Sequence, residues 1–493
     1  MKYLLLLLLF YIKWSITISA SIIRLPISKQ QYTNNNELLE KKIKRAGLSY
    51  ESLYYDMQSL YLIQIAIGTP KQMFSVSIDT GSADLWVPSK QCPMTACPGP
   101  RFDPLASVTY HETTLPFNIT YGNGYANGNY IIESVSLGDL TVPQQQIGLA
   151  SLTNNIIPTL DPTSSNNNNN NRVTQNGILG LGFPSVTAAA TDHQSPYLTF
   201  IFQLIQQNLI DQPVFSIYLN NSIHTEGWDH GELTLGGYNP KKFIGDIYYE
   251  PLLQPLPSHL TQWDGYWIIS SQGYSLSVNN NQQQEKKYKF QQLLPTIIDT
   301  GAMLSHFPLQ LTQSIMTDLF GNISSNVYEY EATTGHYVFT STSTSSTTCS
   351  YIRNLYQNHT LQFTISSNLT IQVPVKDLIV TYKQLCVFGI AVTSSKLVGN
   401  ENDQQPILLL GDSILKSTYL IFDIGQRRIG FASPNHSGIF NKNNNPSNNS
   451  TNNNNSNSNS INGSGTNTSH ASILLPQLSI LSISLFTFLI YIV

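Results

Sequence analysis

The sequence predicts an all-β protein made of two related halves. An Ile-Asp-Thr-Gly phrase occurs at residues 78–81 and again at residues 298–301. A short apolar stretch that ends in glycine follows each copy further along the chain, at 178–180 and at 408–411. Between these stretches the chain is rich in β-branched and aromatic residues, with turn residues every few positions, which is typical of strands. The repeats indicate a two-fold internal duplication.

Each copy of the phrase places a carboxyl group, Asp79 or Asp299, directly after an apolar stretch. A buried carboxylate is costly unless it is hydrogen-bonded or used in chemistry. Two carboxylates a few ångströms apart do not both ionise easily, so they share one proton, and one acts as a base while the other acts as an acid. An Asx-turn at a strand end explains either copy alone. The matching settings of the two copies favour a pair that activates water.

The residues around both copies resemble the pepsin-like (A1) family of aspartic proteases. Tyr-Leu-Ile-Gln-Ile-Ala-Ile-Gly-Thr-Pro at 61–70 leads into the first copy, and Leu-Trp-Val-Pro-Ser at 85–89 follows it. The resemblance runs from about Tyr54 to Ser433. It implies a bilobal fold of two related six-stranded-barrel-like lobes with a cleft between them, at residues 50–230 and 231–434.

The same resemblance implies an aspartic endopeptidase that hydrolyses peptide bonds through a water activated by Asp79 and Asp299. It implies neither a cofactor nor a metal. The glycines allow tight turns with close backbone approach, and each Thr can donate its hydroxyl to the other loop. The residues expected to support the dyad are Thr80, Gly81, Ser82, Thr300 and Gly301.

Residues 119–124, Ile-Thr-Tyr-Gly-Asn-Gly, read as a strand that runs into a glycine-rich tip. An ordinary surface hairpin is one interpretation. By position and by its Tyr-Gly pair, the segment resembles the flap that covers the cleft in the pepsin-like family. We then expect Tyr121, Gly122 and Asn123 to contact substrate and Tyr121 to pack towards Trp86. Asn123 departs from the family pattern, which more often has a small hydroxyl residue or Asp at this position.

The residue after the phrase differs between the two copies. Ser82 can donate its hydroxyl to Asp79, whereas Ala302 has no donor to offer Asp299. Loss of a donor to the charged form raises the pKa of a carboxyl group. We therefore expect a pH optimum less acidic than that of pepsin. Asp412 and Asp423 are predicted to be structural.

Four cysteines in a secreted chain indicate disulfides. The resemblance implies the pairs Cys92–Cys97 and Cys349–Cys386. A third family disulfide often precedes the second catalytic Asp, but residues 279–292 contain no cysteine.

The amino-terminal residues predict a route through the secretory pathway. Residues 1–20 have a basic start, an apolar core and a small-residue cleavage site, as signal peptides do. Residues 21–49 are polar and basic, which fits either a disordered arm or a pro-segment whose cations cover an acidic cleft. The resemblance favours the pro-segment, with Lys44-Arg45 as a processing site.

The carboxy-terminal residues predict a membrane attachment. Residues 435–472 are rich in Asn and Ser and are expected to form a flexible stalk. Residues 473–493 are apolar, and nothing basic follows them. Small residues, a polar spacer and an apolar tail are typical of a glycosylphosphatidylinositol (GPI) signal, with attachment near 462–464. A single membrane span is the alternative. We expect the cell surface as the location, with an acidic lysosome or vacuole as the alternative.

The partners expected are peptide or protein substrates and a membrane, with the chain as a monomer. A formal net charge of −4 argues against nucleic acid. Asn-x-Ser/Thr sequons are candidate glycan sites in a secreted chain; those considered are Asn118, Asn220, Asn322, Asn358, Asn368 and Asn435. Asn118 lies near the flap, where space for a glycan is in question.

Two other functional classes remain open from the sequence. A surface protein that keeps the peptide cleft but has lost turnover would fit Ala302 and Asn123. A stalked adhesion protein would fit the Asn-rich tail, but it does not explain why the Asp-Thr-Gly phrase occurs twice.

Overall fold

The structure of the protein is a computed structural model. It describes residues 23–30 (backbone only), 60–122, 124–157, 175–192, 194–219, 231–256, 258–278, 286–321, 327–340, 346–382, 385–393 and 406–435. The predicted signal peptide, the stalk and the apolar tail lie outside these residues, as do Lys44-Arg45, Asn123, Asn220 and Asn322.

Strands make up most of the described chain. In the first half they are β1 (Ile23–Gln30), β2 (Leu60–Ile67), β3 (Gln72–Asp79), β4 (Leu85–Pro88), β5 (His111–Thr120), β6 (Tyr125–Leu137), β7 (Leu140–Asn154), β8 (Ile178–Gly180) and β9 (Val214–Leu219). In the second half they are β10 (Gly231–Leu235), β11 (Phe243–Pro251), β12 (Ile268–Val278), β13 (Lys286–Ile298), β14 (Ser305–Phe307), β15 (Tyr328–Glu331), β16 (His336–Phe339), β17 (His359–Ser366), β18 (Leu369–Pro374), β19 (Ile379–Tyr382), β20 (Leu385–Phe388), β21 (Ile390–Val392), β22 (Leu408–Leu410), β23 (Tyr419–Asp423) and β24 (Arg428–Pro434).

The helices among the described residues are short. They are α1 (Ala188–Thr191), α2 (Phe200–Gln206), α3 (Leu309–Phe320), α4 (Ser346–Leu355) and α5 (Asp412–Leu415). Short 3-10 helices occur at Pro104–Ala106, Pro184–Val186, Ser258–Trp263 and Val375–Leu378. No helix of the described chain is long and apolar enough to cross a membrane.

The strands form three sheets. A 13-stranded sheet has the order β11-β24-β23-β9-β10-β1-β2-β3-β8-β4-β7-β6-β5. A 7-stranded sheet, β18-β17-β12-β13-β22-β14-β21, and a 4-stranded sheet, β15-β16-β20-β19, belong to the second half. The large sheet contains the first-half strands and also takes in β10, β11, β23 and β24 from the second half. It therefore joins the two lobes of the predicted bilobal, all-β fold.

The duplicated phrase has a duplicated structure. In the first half β3 pairs in parallel with β8, so that Asp79 lies beside Gly180. In the second half β13 pairs in parallel with β22, so that Ile298 lies beside Leu410. Strands β4 and β14 pair antiparallel with β8 and β22 at equivalent places. Each carboxyl-bearing loop therefore follows a strand whose end is paired in a three-stranded unit, β3-β8-β4 or β13-β22-β14, which fixes the backbone of the loop.

Residues Ile23–Gln30 form a strand rather than a disordered arm. This strand, β1, pairs antiparallel with β10 from Ile23↔Leu235 to Ile27↔Gly231, and then with β2 from Ser28↔Leu62 onward. It bridges two strands that would otherwise leave edge N–H and C=O groups unpaired.

An aromatic cluster packs the two halves against each other. Trp267 is fully buried, and its ring centroid lies 4.8 Å from Phe183, 4.9 Å from Phe422 and 5.7 Å from Phe215. Phe215 and Phe422 stack at 4.6 Å. Aromatic pairs at such distances add about 1 kcal/mol each beyond their area burial. Since Phe183 follows β8 closely in the chain and Trp267 precedes β12, the cluster joins the strands that support the carboxyl-bearing loops of both halves.

Each lobe contains one disulfide bond that joins nearby segments. Cys92 and Cys97 are joined in the first half, and Cys349 and Cys386 in the second. These are the pairs that the resemblance implied.

Candidate active site

Two threonines lock the duplicated loops together. Thr80 Oγ1 donates to the Ile298 carbonyl at 2.8 Å and accepts from the Thr300 N–H at 2.9 Å. Thr300 Oγ1 donates to the Ile78 carbonyl at 3.3 Å and accepts from the Thr80 N–H at 3.2 Å. Both hydroxyls are buried. Each one thus uses its donor and an acceptor across the boundary between the halves, so the two loops are held as one unit.

The glycine of each phrase leaves room for the carboxyl group of the other. A Cβ atom on Gly81 would lie 2.6 Å from Asp299 Oδ2, and a Cβ atom on Gly301 would lie 2.3 Å from Asp79 Oδ1. Real Cβ contacts are essentially never this short, so any side chain at either position would displace a carboxyl group. The glycines therefore allow Asp79 and Asp299 to face each other.

The two carboxyl groups have unequal partners. Asp79 accepts from the Gly81 N–H at 2.8 Å and from the Ser82 hydroxyl at 2.5 Å. Asp299 accepts from the Gly301 N–H at 2.8 Å. Position 302, which corresponds to Ser82, is Ala and has no hydroxyl. The asymmetry favours negative charge on Asp79.

The electrostatics follow this asymmetry. Burial raises the pKa of Asp79, and the Ser82 hydroxyl, the Gly81 N–H and the hydrogen bond with Asp299 offset part of that rise. Burial raises the pKa of Asp299 well above its ordinary value, the charge of Asp79 raises it further, and the Gly301 N–H lowers it. These shifts raise the proton affinity of Asp299 more than that of Asp79.

The predicted flap hairpin reaches the same place. Strands β5 and β6 pair up to Thr120↔Tyr125, and the Tyr121 N–H donates to the Gly124 carbonyl at 2.8 Å to close the turn. The buried Trp86 donates its Nε1–H to the Tyr121 hydroxyl at 2.8 Å. Burial raises the pKa of Tyr121 well above its ordinary value, and the charge of Asp79 raises it further, so this ring lies near the carboxyl pair.

Comparison with known proteins agrees with this geometry. The family model described as "Eukaryotic aspartyl protease" matches residues 60–434. The chain belongs to this family. It is an aspartic endopeptidase, and its substrates are peptides or proteins.

Several curated relatives support the assignment. Gastricsin of Cavia porcellus is 30% identical over 387 residues, which cover 78% of this chain and 82% of the relative. Mucorpepsin of Rhizomucor miehei is 30% identical over 385 residues, or 77% of this chain and 79% of the relative. The solved structure of an aspartic proteinase from Irpex lacteus has the same fold, with a TM-score of 0.56 at 18% identity, and covers 84% of this chain and 98% of that one.

Three residues of this aspartyl protease adjoin the site without having been assigned to it from the sequence. The first is Tyr266, whose pKa burial raises to about 12, with added contributions from the charges of Asp79 and Asp299. The Gly265 carbonyl accepts from the Phe183 N–H at 3.1 Å, and the Trp267 carbonyl accepts from the Ile298 N–H at 2.9 Å. Tyr266 is therefore set between segments of both halves beside the dyad.

The second is Asp84, which anchors the loop between Asp79 and Trp86. Its fully buried carboxyl group accepts from the Tyr130 and Tyr197 hydroxyls and from the Ala188 N–H, each at 2.7 Å. These partners lie 46 to 113 residues away in the chain, so local sequence carried no signal for them.

The third is Asp412, which the sequence assigned a structural role. It opens α5 directly after β22, and its N–H donates to the Ala302 carbonyl at 2.8 Å. Its charge adds to the raised pKa of Asp299. Asp412 therefore contributes to the electrostatics of the dyad as well as to the fold. Asp423, in contrast, accepts from Arg428 Nε at 2.8 Å within the β23–β24 hairpin.

Two further observations concern the space at the flap tip and the groups that could bind a metal ion. A Cβ atom on Gly122 would meet nothing within 4 Å, so the space beside it is open. Asn123 is outside the described residues. Among the residues that the structure describes, no group of three or more His, Cys, Asp or Glu could hold a metal ion.

Proposed function

We propose that Asp79 and Asp299 carry out the peptide hydrolysis of this protease. The observation that carries the proposal is the reciprocal Thr80–Thr300 lock, which brings two carboxyl groups of unequal proton affinity face to face. Ionised Asp79 takes a proton from a water that attacks the scissile carbonyl carbon, while Asp299 gives its proton to the carbonyl oxygen. A proton then passes to the amide nitrogen, the C–N bond breaks, and no covalent intermediate forms.

The supporting residues have separate roles in this proposal. Ser82 keeps Asp79 ionised, since its hydroxyl donates to the charged form. Gly81 and Gly301 leave space for the carboxyl groups. Tyr121, fixed by Trp86, covers bound substrate and excludes water, which strengthens the electrostatics of the dyad. Backbone groups near Gly122 and Gly301 hold an extended peptide in the manner of an added strand.

Cleavage of a denatured protein substrate across the acidic to neutral range tests the proposal, with and without pepstatin. Asp79→Asn and Asp299→Asn are each expected to abolish pepstatin-sensitive cleavage. Asp139→Asn is the matched control, since Asp139 is exposed on the β6–β7 turn. Cleavage that survives either dyad substitution at the wild-type rate would contradict the assignment.

We further propose that residues 21–49 are a pro-segment. Two observations support this: the basic composition of the segment and the place of β1 in the sheet that joins the lobes. Sequencing the amino terminus of the active enzyme tests it. A start after residue 45 is expected, and an active enzyme that retains residues 21–49 would contradict the proposal.

For location, we propose a secretory route, which family membership fits, followed by a GPI anchor near residues 462–464. The support is the composition of residues 1–20 and 435–493. Release from cells by phosphatidylinositol-specific phospholipase C is expected; retention after that treatment would favour a single membrane span or a lysosomal or vacuolar location. The chain is proposed to act as a monomer.

A further inference from the structure

Strand β5 forms one end of the large sheet. It pairs with β6, and no other described strand flanks it. Most of its residues are exposed, including Leu115 at 42%. An edge strand presents unpaired N–H and C=O groups that can template pairing with another chain. The Pro116 carbonyl accepts from Gln194 Nε2 at 3.2 Å and the register shifts between Glu112 and Pro116, so the part of this edge that needs further protection comprises residues 117–120.

The side chains of the last residues of β5 alternate between a buried face and an exposed face. Phe117 and Ile119 are buried and belong to the cluster around Trp86, against which Tyr121 also packs. Asn118 and Thr120 alternate with them and are exposed. Because successive side chains of a strand point to opposite faces, these two residues share the outer face of the flap hairpin.

Asn118 and Thr120 are the acceptor and hydroxyl positions of an Asn-Ile-Thr sequon. Both side chains are exposed on one face, so the described residues around Asn118 leave space for a glycan there. The sequon at Asn435 differs, because its Nδ2 donates to the Lys241 carbonyl at 2.9 Å. The exposed Asn358 and Asn368 lie in turns beside paired strands and not on a strand at the end of the sheet.

We propose that Asn118 carries an N-linked oligosaccharide that shields the free edge of β5. The inference rests on the secretory route proposed above, and it is independent of the dyad. In the modification, Asn118 Nδ2 loses a proton and bonds to the anomeric carbon of a lipid-diphosphate-linked oligosaccharide, and the lipid diphosphate leaves. The glycan stands opposite the face that contacts Trp86, so it stays clear of the cleft. A bulky, solubilising group there keeps a second chain from pairing with the strand.

The test uses the full chain, expressed with its own leader in a eukaryotic secretory host. Peptide-N-glycosidase F in heavy-oxygen water converts a glycosylated Asn to labelled Asp, which mass spectrometry locates in the peptide. Asn118→Gln and Thr120→Ala remove the sequon, whereas Thr120→Ser retains it as the matched control. Asn368→Gln removes a different sequon.

We expect label at position 118 in the wild type and in Thr120→Ser, and its loss in Asn118→Gln and Thr120→Ala. The two sequon-loss variants should aggregate faster on incubation than the wild type, Thr120→Ser and Asn368→Gln, with unchanged cleavage of a short peptide. An unlabelled position 118 in the wild type would overturn the proposal, whether or not other sequons are labelled. Label at 118 with equal aggregation of all variants would overturn the shielding role.

Discussion

Replacing Ala302 with Thr tests how the two halves divide the proton of the dyad. In the first half the Ser82 hydroxyl donates to Asp79 at 2.5 Å, and the equivalent position beside Asp299 has no hydroxyl. Hydrogen bonds to charged groups contribute about 1.5–3 kcal/mol. A new donor should therefore favour the ionised form of Asp299 by about that amount and lower the pKa of this carboxyl group.

The direction of the effect on activity follows from the proposed roles. Asp299 must be protonated for turnover, so a lower pKa moves the alkaline limb of the kcat/KM profile to lower pH. Ala302→Val is the matched control, because Val has the shape of Thr without the hydroxyl. The assay is hydrolysis of one short peptide across the acidic to neutral range. An unmoved alkaline limb in Ala302→Thr, or an equal movement in Ala302→Val, would refute the reasoning.

Three further predictions concern charge, stability and the loop lock. Asp412→Asn should also move the alkaline limb to lower pH, because it removes a charge that raises the pKa of Asp299; an unchanged kcat/KM profile would count against this. Burial lowers the pKa of His336 from 6.5 to about 4. Below about pH 6.5 the unfolded chain binds a proton at this side chain, whereas the folded chain does so only near pH 4. The free energy of unfolding is therefore fully retained above about pH 6.5 and falls by about 3 kcal/mol as the pH drops to about 4. Urea unfolding should show a shallower acid loss in His336→Gln than in the wild type, and equal slopes would contradict the prediction. Thr80→Val leaves the Ile298 carbonyl and the Thr300 N–H without their buried partner and should lower the free energy of unfolding by about 2–4 kcal/mol. Thr80→Ser, which keeps the hydroxyl, should lose much less, and similar losses in the two variants would disprove the role of the hydroxyl.

The local sequence was sufficient to predict features that repeat or that act over short distances. The duplicated Asp-Thr-Gly phrase predicted two carboxyl groups on equivalent loops. In the structure each glycine leaves room for the opposite carboxyl group, and Thr80 donates its hydroxyl to the other loop. The family resemblance supplied the bilobal fold, the contact of Tyr121 with Trp86 and the disulfide pairs.

Features that depend on residues far apart in the chain could not be predicted from the sequence. Asp84 accepts from Tyr130 and Tyr197, and neither partner could be assigned without knowing how β6 and the segment before α2 approach the dyad loop. The effect of Asp412 on Asp299 depends on the parallel pairing of β13 with β22. Both interactions join segments that are far apart in the chain, so composition could not reveal either of them. The strand at Ile23–Gln30 was missed for the same reason, since its partners β2 and β10 come later in the chain.

The central claim is that Asp79 and Asp299 share one proton during turnover. The kcat/KM of a short peptide, measured against pH for the wild type and for Asp299→Asn, tests it most directly. The account predicts a bell-shaped wild-type profile whose alkaline limb lies well above the ordinary carboxyl pKa, and no measurable turnover in Asp299→Asn. Turnover in Asp299→Asn with only the alkaline limb removed would contradict the claim, because it would show that the proton on Asp299 is not required.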